Sequence, residues 1–205
     1  MHVMPCGSVV TGHDYSCTAA MLWRHGVLLQ AAKQARNTHF RTSVNNKSIP
    51  GIEMNVAFIT QHIIKTYPHI HPVAAWGETS FFYNPDRQLP RGIYFATIKQ
   101  KDGENDRASN LDRPDVFRLN IGISKMTYLS LFGPQPSRPR AGGVVESVHD
   151  FTALDQLIPH PVYGWMSWVC VLNPSAATFE TVKPLLSEAY DLAVVKFTKR
   201  TRQAR

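Results

Sequence analysis

The segment GIYFATIKQKDGENDRASNLDRPDVFRLNIG, residues 92–122, reads as two strands with no helix between them. Gly92–Lys99 sets β-branched and aromatic residues in near alternation. Val116–Ile121 puts Phe117, Leu119 and Ile121 on one face and Arg118 and Asn120 on the other. Lys101–Pro114 between them is a polar loop. This is not the βαβα alternation of a doubly wound sheet, so the strands are expected to pair antiparallel.

On the N-terminal side, Val56, Ile59, Ile63 and Tyr67 recur at helical spacing, with Asn55 as N-cap and Pro68 as the stop. Val73–Trp76 and Thr79–Tyr83 are short β-type runs, followed by the turn Asn84-Pro85-Asp86. On the C-terminal side, Ser124 caps a short helix over Lys125–Phe132, closed by Gly133-Pro134, and Gln135–Gly143 is a Pro/Gly/Arg-rich loop. His149-Asp150-Phe151-Thr152 leads into a short helical piece ending near Ile158-Pro159, with Asp150 as N-cap. Tyr163–Leu172 is the last strong strand. Asn173-Pro174-Ser175 starts a closing helix whose apolar stripe includes Phe179, Val182, Leu185, Leu186 and Ala189; Pro184 either kinks it or opens a second helix. The expected fold is α+β: an antiparallel sheet flanked by an N-terminal and a C-terminal helix.

Three segments are expected: a poorly structured extension over residues 1–53, one α+β domain over 54–200, and a basic tail over 201–205. Thr42–Gly51, TSVNNKSIPG, has linker composition, and Met54 opens the helical pattern abruptly. Hydrophobic residues make up 43% and charged residues 18% of the chain, which excludes a disordered protein. The formal charge of +7 is unevenly placed. Residues 1–53 carry +3, Lys196–Arg205 carry +5, and residues 54–195 carry −1. A uniformly basic nucleic-acid face is therefore not expected, and any such binding would be weak and run through the C-terminal tail. Three cysteines without a CxxC, no long apolar run and no secretory signal lead to the expectation of a cytoplasmic chain outside the membrane. Cys170, inside an apolar run, reads as a small buried hydrophobe.

In this order the pieces resemble the MmcQ/YjbR-like proteins, small domains of CyaY-like α+β fold. The residues that carry the resemblance are the opening helix, Trp76-Gly77-Glu78-Thr79 before Phe81-Phe82, Phe95-Ala96, Phe117-Arg118-Leu119-Asn120, His160, Trp168 before an apolar strand, and Ala189-Tyr190-Asp191-Leu192 in the closing helix. Residues 54–200 more closely resemble a bacterial domain family of unknown function, through LPRGIYFATIK, DRPDVFRLNIG, HDFTALD, PHPVYGWMSWVCVLNPS and LLSEAYDLAV. That resemblance implies the fold and carries no established activity.

Candidate ligand-binding residues are Arg118, Asn120, His149, His160, Tyr163 and Trp165. His160-Pro161-Val162-Tyr163-Gly164-Trp165 gathers aromatic and polar groups as the wall of a pocket. If 163–172 is one strand, Trp165 and Trp168 point to opposite faces, with Trp165 on the cleft side and Trp168 in the core. For Arg118 and Asn120 two readings stand: a solvated sheet face, or the lining of a polar pocket that holds an anion or amide. Glu78 reads as a turn residue, and Lys99-Gln100-Lys101 as the sheet's exit into solvent. His149-Asp150 with His160 has no standard metal spacing, so no metal or other cofactor is expected. GxSxG, P-loop, GxGxxG-after-strand and HExxH motifs are all absent, which sets aside the hydrolases, NTPases, dinucleotide enzymes and zinc proteases that use them. What remains is a small-ligand-binding or accessory module with an aromatic, His-lined pocket. The alternatives are a nucleic-acid-binding module using the basic tail and a cofactor-free enzyme using His149 or His160 as acid or base. The ligand, the catalytic residues if any, and the oligomeric state are not legible.

Overall fold

In the computed structural model, which describes residues 54–203, an N-terminal helix α1 (Val56–Thr66) is followed by strands β1 (Ile70–Ala75), β2 (Glu78–Tyr83), β3 (Ile93–Lys99) and β4 (Arg118–Gly122). Then come α2 (Lys125–Phe132), the two-residue strand β5 (Ile158–Pro159), β6 (Trp168–Leu172) and the long helix α3 (Ala176–Gln203). The six strands form one sheet in the order β1-β2-β3-β4-β6-β5, every pair antiparallel. The expected α+β class with helices at both ends is what is found. The expected N-terminal extension, residues 1–53, lies outside the described residues. Among these residues no helix is long and apolar enough to cross a membrane.

Local signals explain the helix starts. The Asn55 side chain accepts the Phe58 N–H at 2.9 Å, and Ser124 accepts that of Thr127 at 3.1 Å. Ser175 does the same for Thr178 at 3.2 Å. Pro184 sits inside α3, which runs through it as a single helix to Gln203. The last three residues of that helix belong to the stretch expected as a tail.

The register divides the sheet into two faces. Phe81, Ala96, Ile121 and Val169 lie in one row and Ile98, Leu119 and Val171 in the next, all without exposure. The helices cover this face. Tyr67 and Tyr190 close on Phe95 with ring centroids at 5.8 and 5.9 Å, and Tyr83 meets Phe197 at 5.3 Å. The opposite face carries two polar rows: Glu78, Lys99, Arg118 and then Ser80, Thr97, Asn120, Cys170. Loops, not helices, lie over it.

Four expectations are corrected. Trp76 is not in β1; it is in the hairpin turn, 98% exposed, with φ of 50°. No helix follows His149. Asp150 caps a turn by accepting the Thr152 N–H at 2.8 Å, and Ile158-Pro159 pair with β6 as a strand. The strand expected over Tyr163–Leu172 begins only at Trp168, because Gly164–Met166 form a 3-10 turn and Ser167 takes a left-handed φ of 63°. The imidazole of His160 folds the chain there by accepting two backbone N–H groups, which overrides the β propensity of the aromatic run. Finally, the Arg118 face of β4 is not solvated. Arg118 is fully buried and Asn120 is 2% exposed, since β4 is an inner strand covered on both faces.

Candidate functional site

A buried polar cluster occupies the centre of the loop-covered face. The Arg118 guanidinium donates to both carboxylate oxygens of Asp106, to Oδ1 of Asn120 at 2.8 Å and to Oγ of Ser109 at 2.7 Å. Asn120 passes its own N–H to Thr97 Oγ1 at 2.8 Å. Lys99 Nζ lies 3.3 Å from Asp106 and 3.7 Å from Glu78. The two polar rows of the sheet are thus tied into one network, which satisfies charges that burial would otherwise make costly.

Asp106 and Ser109 come from the polar loop after β3. That loop is pinned by the buried side chain of Leu111 and by Asp102, whose carboxylate accepts the Leu111 N–H at 2.9 Å. Burial alone would raise the Asp106 carboxyl. The hydrogen bonds and charge of Arg118, aided by Lys99, outweigh it and bring the carboxyl down to about 2.

His160 closes the cluster. It is 2% exposed, and its Nδ1 accepts the N–H groups of Val162 at 3.0 Å and Tyr163 at 3.1 Å. A nitrogen that accepts carries no hydrogen, so in the neutral ring the proton sits on Nε2. Burial and then the Arg118 charge push the imidazole well below its ordinary value, which keeps it neutral. The polar atom near Nε2 is Arg118 Nη2 at 3.3 Å, itself a donor.

Beside this cluster opens a cleft of about 1010 Å³. Thr97, Lys99, Asp106, Asn120 and His160 line its floor, and Tyr94, Tyr163, Trp165 and Trp168 its walls. The Tyr94 and Trp168 rings stand 5.4 Å apart at 30°, with Trp168 laid over Gly122, and Arg138 lies 4.9 Å above Trp165. Arg91, Arg140 and Arg200 are at the edge.

Five of the six residues singled out in the sequence meet here. Asn120, His160, Tyr163 and Trp165 line the cleft, and Arg118 holds the floor from beneath. His149 does not join them: its Nδ1 is 3.0 Å from Ser147 Oγ and its ring packs on Phe132. Trp168, expected in the core, is half-buried and faces the cleft. Because Trp165 is outside the strand, the opposite-face argument for the two rings does not apply. Lys99, expected to lead into solvent, and Glu78, expected as a turn residue, belong to the ion network. Asp106 and Tyr94 were not singled out. Burial pushes the Cys170 thiol up to about 12, consistent with a small hydrophobe. Among the described residues no group of three or more His, Cys, Asp or Glu side chains is placed to hold a metal ion.

Residues 54–202 match the model of a family described as a family of unknown function (DUF6194). No curated protein and no solved structure matches the chain.

Proposed function

The chain belongs to the DUF6194 family, whose function is unknown, so its chemistry must be sought in the site, and we propose that the domain binds a small organic ligand in the cleft on the loop-covered face of its sheet. The observation that carries this is the cleft of about 1010 Å³, in which Tyr94, Tyr163, Trp165 and Trp168 stand over the polar side chains of Thr97, Asn120 and His160. Aromatic walls around a few convergent polar groups are the usual form of a small-molecule pocket. Asn120, Tyr163 and Trp165 complete the ligand-binding set, and Arg118 holds the floor beneath them. The opening helix, antiparallel sheet and closing helix support reading the fold as MmcQ/YjbR-like, of the CyaY-like kind.

The His160 arrangement favours binding over proton transfer. A neutral ring whose Nδ1 is tied to two backbone N–H groups has no lone pair to offer a substrate. His149 is outside the cleft lining. One observation favours a second reading, nucleic-acid binding: the exposed cations Lys196, Lys199 and Arg202 share the end of α3 with Arg200 at the cleft edge. Such binding should fall steeply with salt and vanish on deletion of Lys199–Arg205. Binding that survives the deletion at physiological salt would argue for a different nucleic-acid surface.

A thermal-shift screen of small ring compounds tests the first reading. Hits should raise Tm in the full-length chain. They should lose that effect in Trp165→Ala, whose own melt stays cooperative. Hits that stabilise the variant equally would put the ligand elsewhere.

A further inference from the structure

The charges around the cleft fall into two sets. On the floor, Lys99 and Arg118 are matched by Glu78 and Asp106. At the rim, Arg91, Arg138, Arg140 and Arg200 stand against Glu104 alone, an excess of three positive charges. Among the described residues none of these four arginines is in an ion pair. They reach the opening from three separate segments: the connection before β3, the loop over residues 135–143, and the last turns of α3. The third reaches it because α3 packs past the end of β2, with Phe197 on Tyr83 at 5.3 Å. A chain whose residues 54–195 carry −1 thus concentrates cations where its cleft opens. A concave, low-dielectric wall focuses such a field.

Between this rim and the neutral floor lie aromatic surfaces. Tyr94 is 49% exposed and forms a continuous patch with Trp168 and Phe82, at ring distances of 5.4 and 5.9 Å. Asn120 and His160 supply polar groups at the bottom. Arginines present paired N–H groups that match the oxygens of an anion, and aromatic faces take planar rings. We propose that the cleft's ligand is a planar ring bearing an anionic group such as a phosphate, sulfonate or carboxylate. The ring lies against Tyr94 and Trp168, and the anion meets the rim arginines. This deepens the ligand-binding reading above and rests on it. An extended nucleic-acid strand is the rival occupant. The closed charge balance of the floor favours a small ligand, since a strand would follow cations along its length.

Two dyes with the same ring system separate the outcomes: 8-anilinonaphthalene-1-sulfonate and its neutral congener N-phenyl-1-naphthylamine. Each is titrated into the folded full-length chain and followed by quenching of tryptophan emission. The sulfonate should bind about tenfold more tightly than the neutral dye, the size of one charge-assisted contact. Arg138→Gln with Arg140→Gln, both exposed positions, should remove most of that advantage and leave the neutral dye unchanged. Equal binding of both dyes, lost in Tyr94→Ala, would keep the cleft as the site and overturn the anionic class. Binding of either dye that is unchanged in Tyr94→Ala would overturn the cleft as well. No binding of the sulfonate would contradict the proposal directly, and displacement of bound sulfonate by a short oligothymidylate at far lower concentration than by a mononucleotide would give the cleft to nucleic acid.

Discussion

Arg118 is fully buried, and a buried charge persists only because its partners are in place. Arg118→Met strips Asp106 of its main counter-charge and leaves Asn120 and Ser109 with lost bonds. Asp106→Asn leaves the guanidinium without its carboxylate. Each is expected to cost about 3–5 kcal/mol in urea melts, and the double variant clearly less than their sum. Strict additivity would mean that the two do not act as a pair. The pair also sets an acid limit. The folded Asp106 carboxyl is at about 2, below its unfolded value of about 3.9, so its contribution is complete above the latter and lost as pH falls toward the former. His160 acts in a higher window. Its folded value is depressed by burial and then by Arg118, so below about pH 6.5 the unfolded chain takes up a proton that the folded one does not. The stability that His160 contributes relative to His160→Gln should therefore shrink between pH 7.5 and 5.5. A gap that stays constant or widens would show that the ring is not buried neutral.

At the scale of elements, what could be read was local and what could not was pairing. The helix of Asn55–Tyr67 and the alternation of Val116–Ile121 are written in consecutive residues, and Arg118 and Asn120 were correctly put on one face. Whether that face was wet depended on which strands flank β4. Glu78 and Lys99 enter the network only because the register sets Glu78 opposite Lys99 and Lys99 opposite Arg118. No spacing in the sequence encodes those partners, so Lys99 looked like an exit into solvent. Trp168 was misplaced for a related reason: a Pro161 turn held by His160 replaced the first half of the expected strand. Its indole now rests on Gly122, where an added Cβ would approach two ring carbons at 3.0 Å. Gly122→Val should tilt that ring out of the cleft wall, at a cost of about 1–3 kcal/mol, and abolish the sulfonate dye signal. Trp168→Ala should cost less than Phe179→Ala, a fully buried α3 truncation expected to cost about 3–5 kcal/mol. Equal large costs would make Trp168 a core residue after all.

At the scale of the molecule, the sheet is used unequally. Helices α1 and α3 bury one face and supply the apolar core, while loops cover the other and leave an open cleft over a fixed polar floor. That division lets the first face hold the fold while the second is available for recognition. It also bears on the expected boundary at Met54. The core elements of the described residues run from α1 to α3, and a chain starting at Met54 is expected to melt cooperatively within a few degrees of the full length; loss of cooperativity would give residues 1–53 a part in the core. The net charge was legible in the sequence, but its use was not: the basic C-terminal end looked like a solvated tail until α3 brought Arg200 to the cleft. If the loop-covered face is where a ligand binds, the tryptophans report on it. The chain has four, of which Trp165 and Trp168 stand in the cleft wall and Trp76 is 98% exposed at the β1–β2 turn. In a ¹H–¹⁵N spectrum titrated with a thermal-shift hit, the indole N–H signals of Trp165 and Trp168 should move in a saturable way while that of Trp76 stays still. Saturable movement of Trp76 with the two cleft signals unmoved would contradict it.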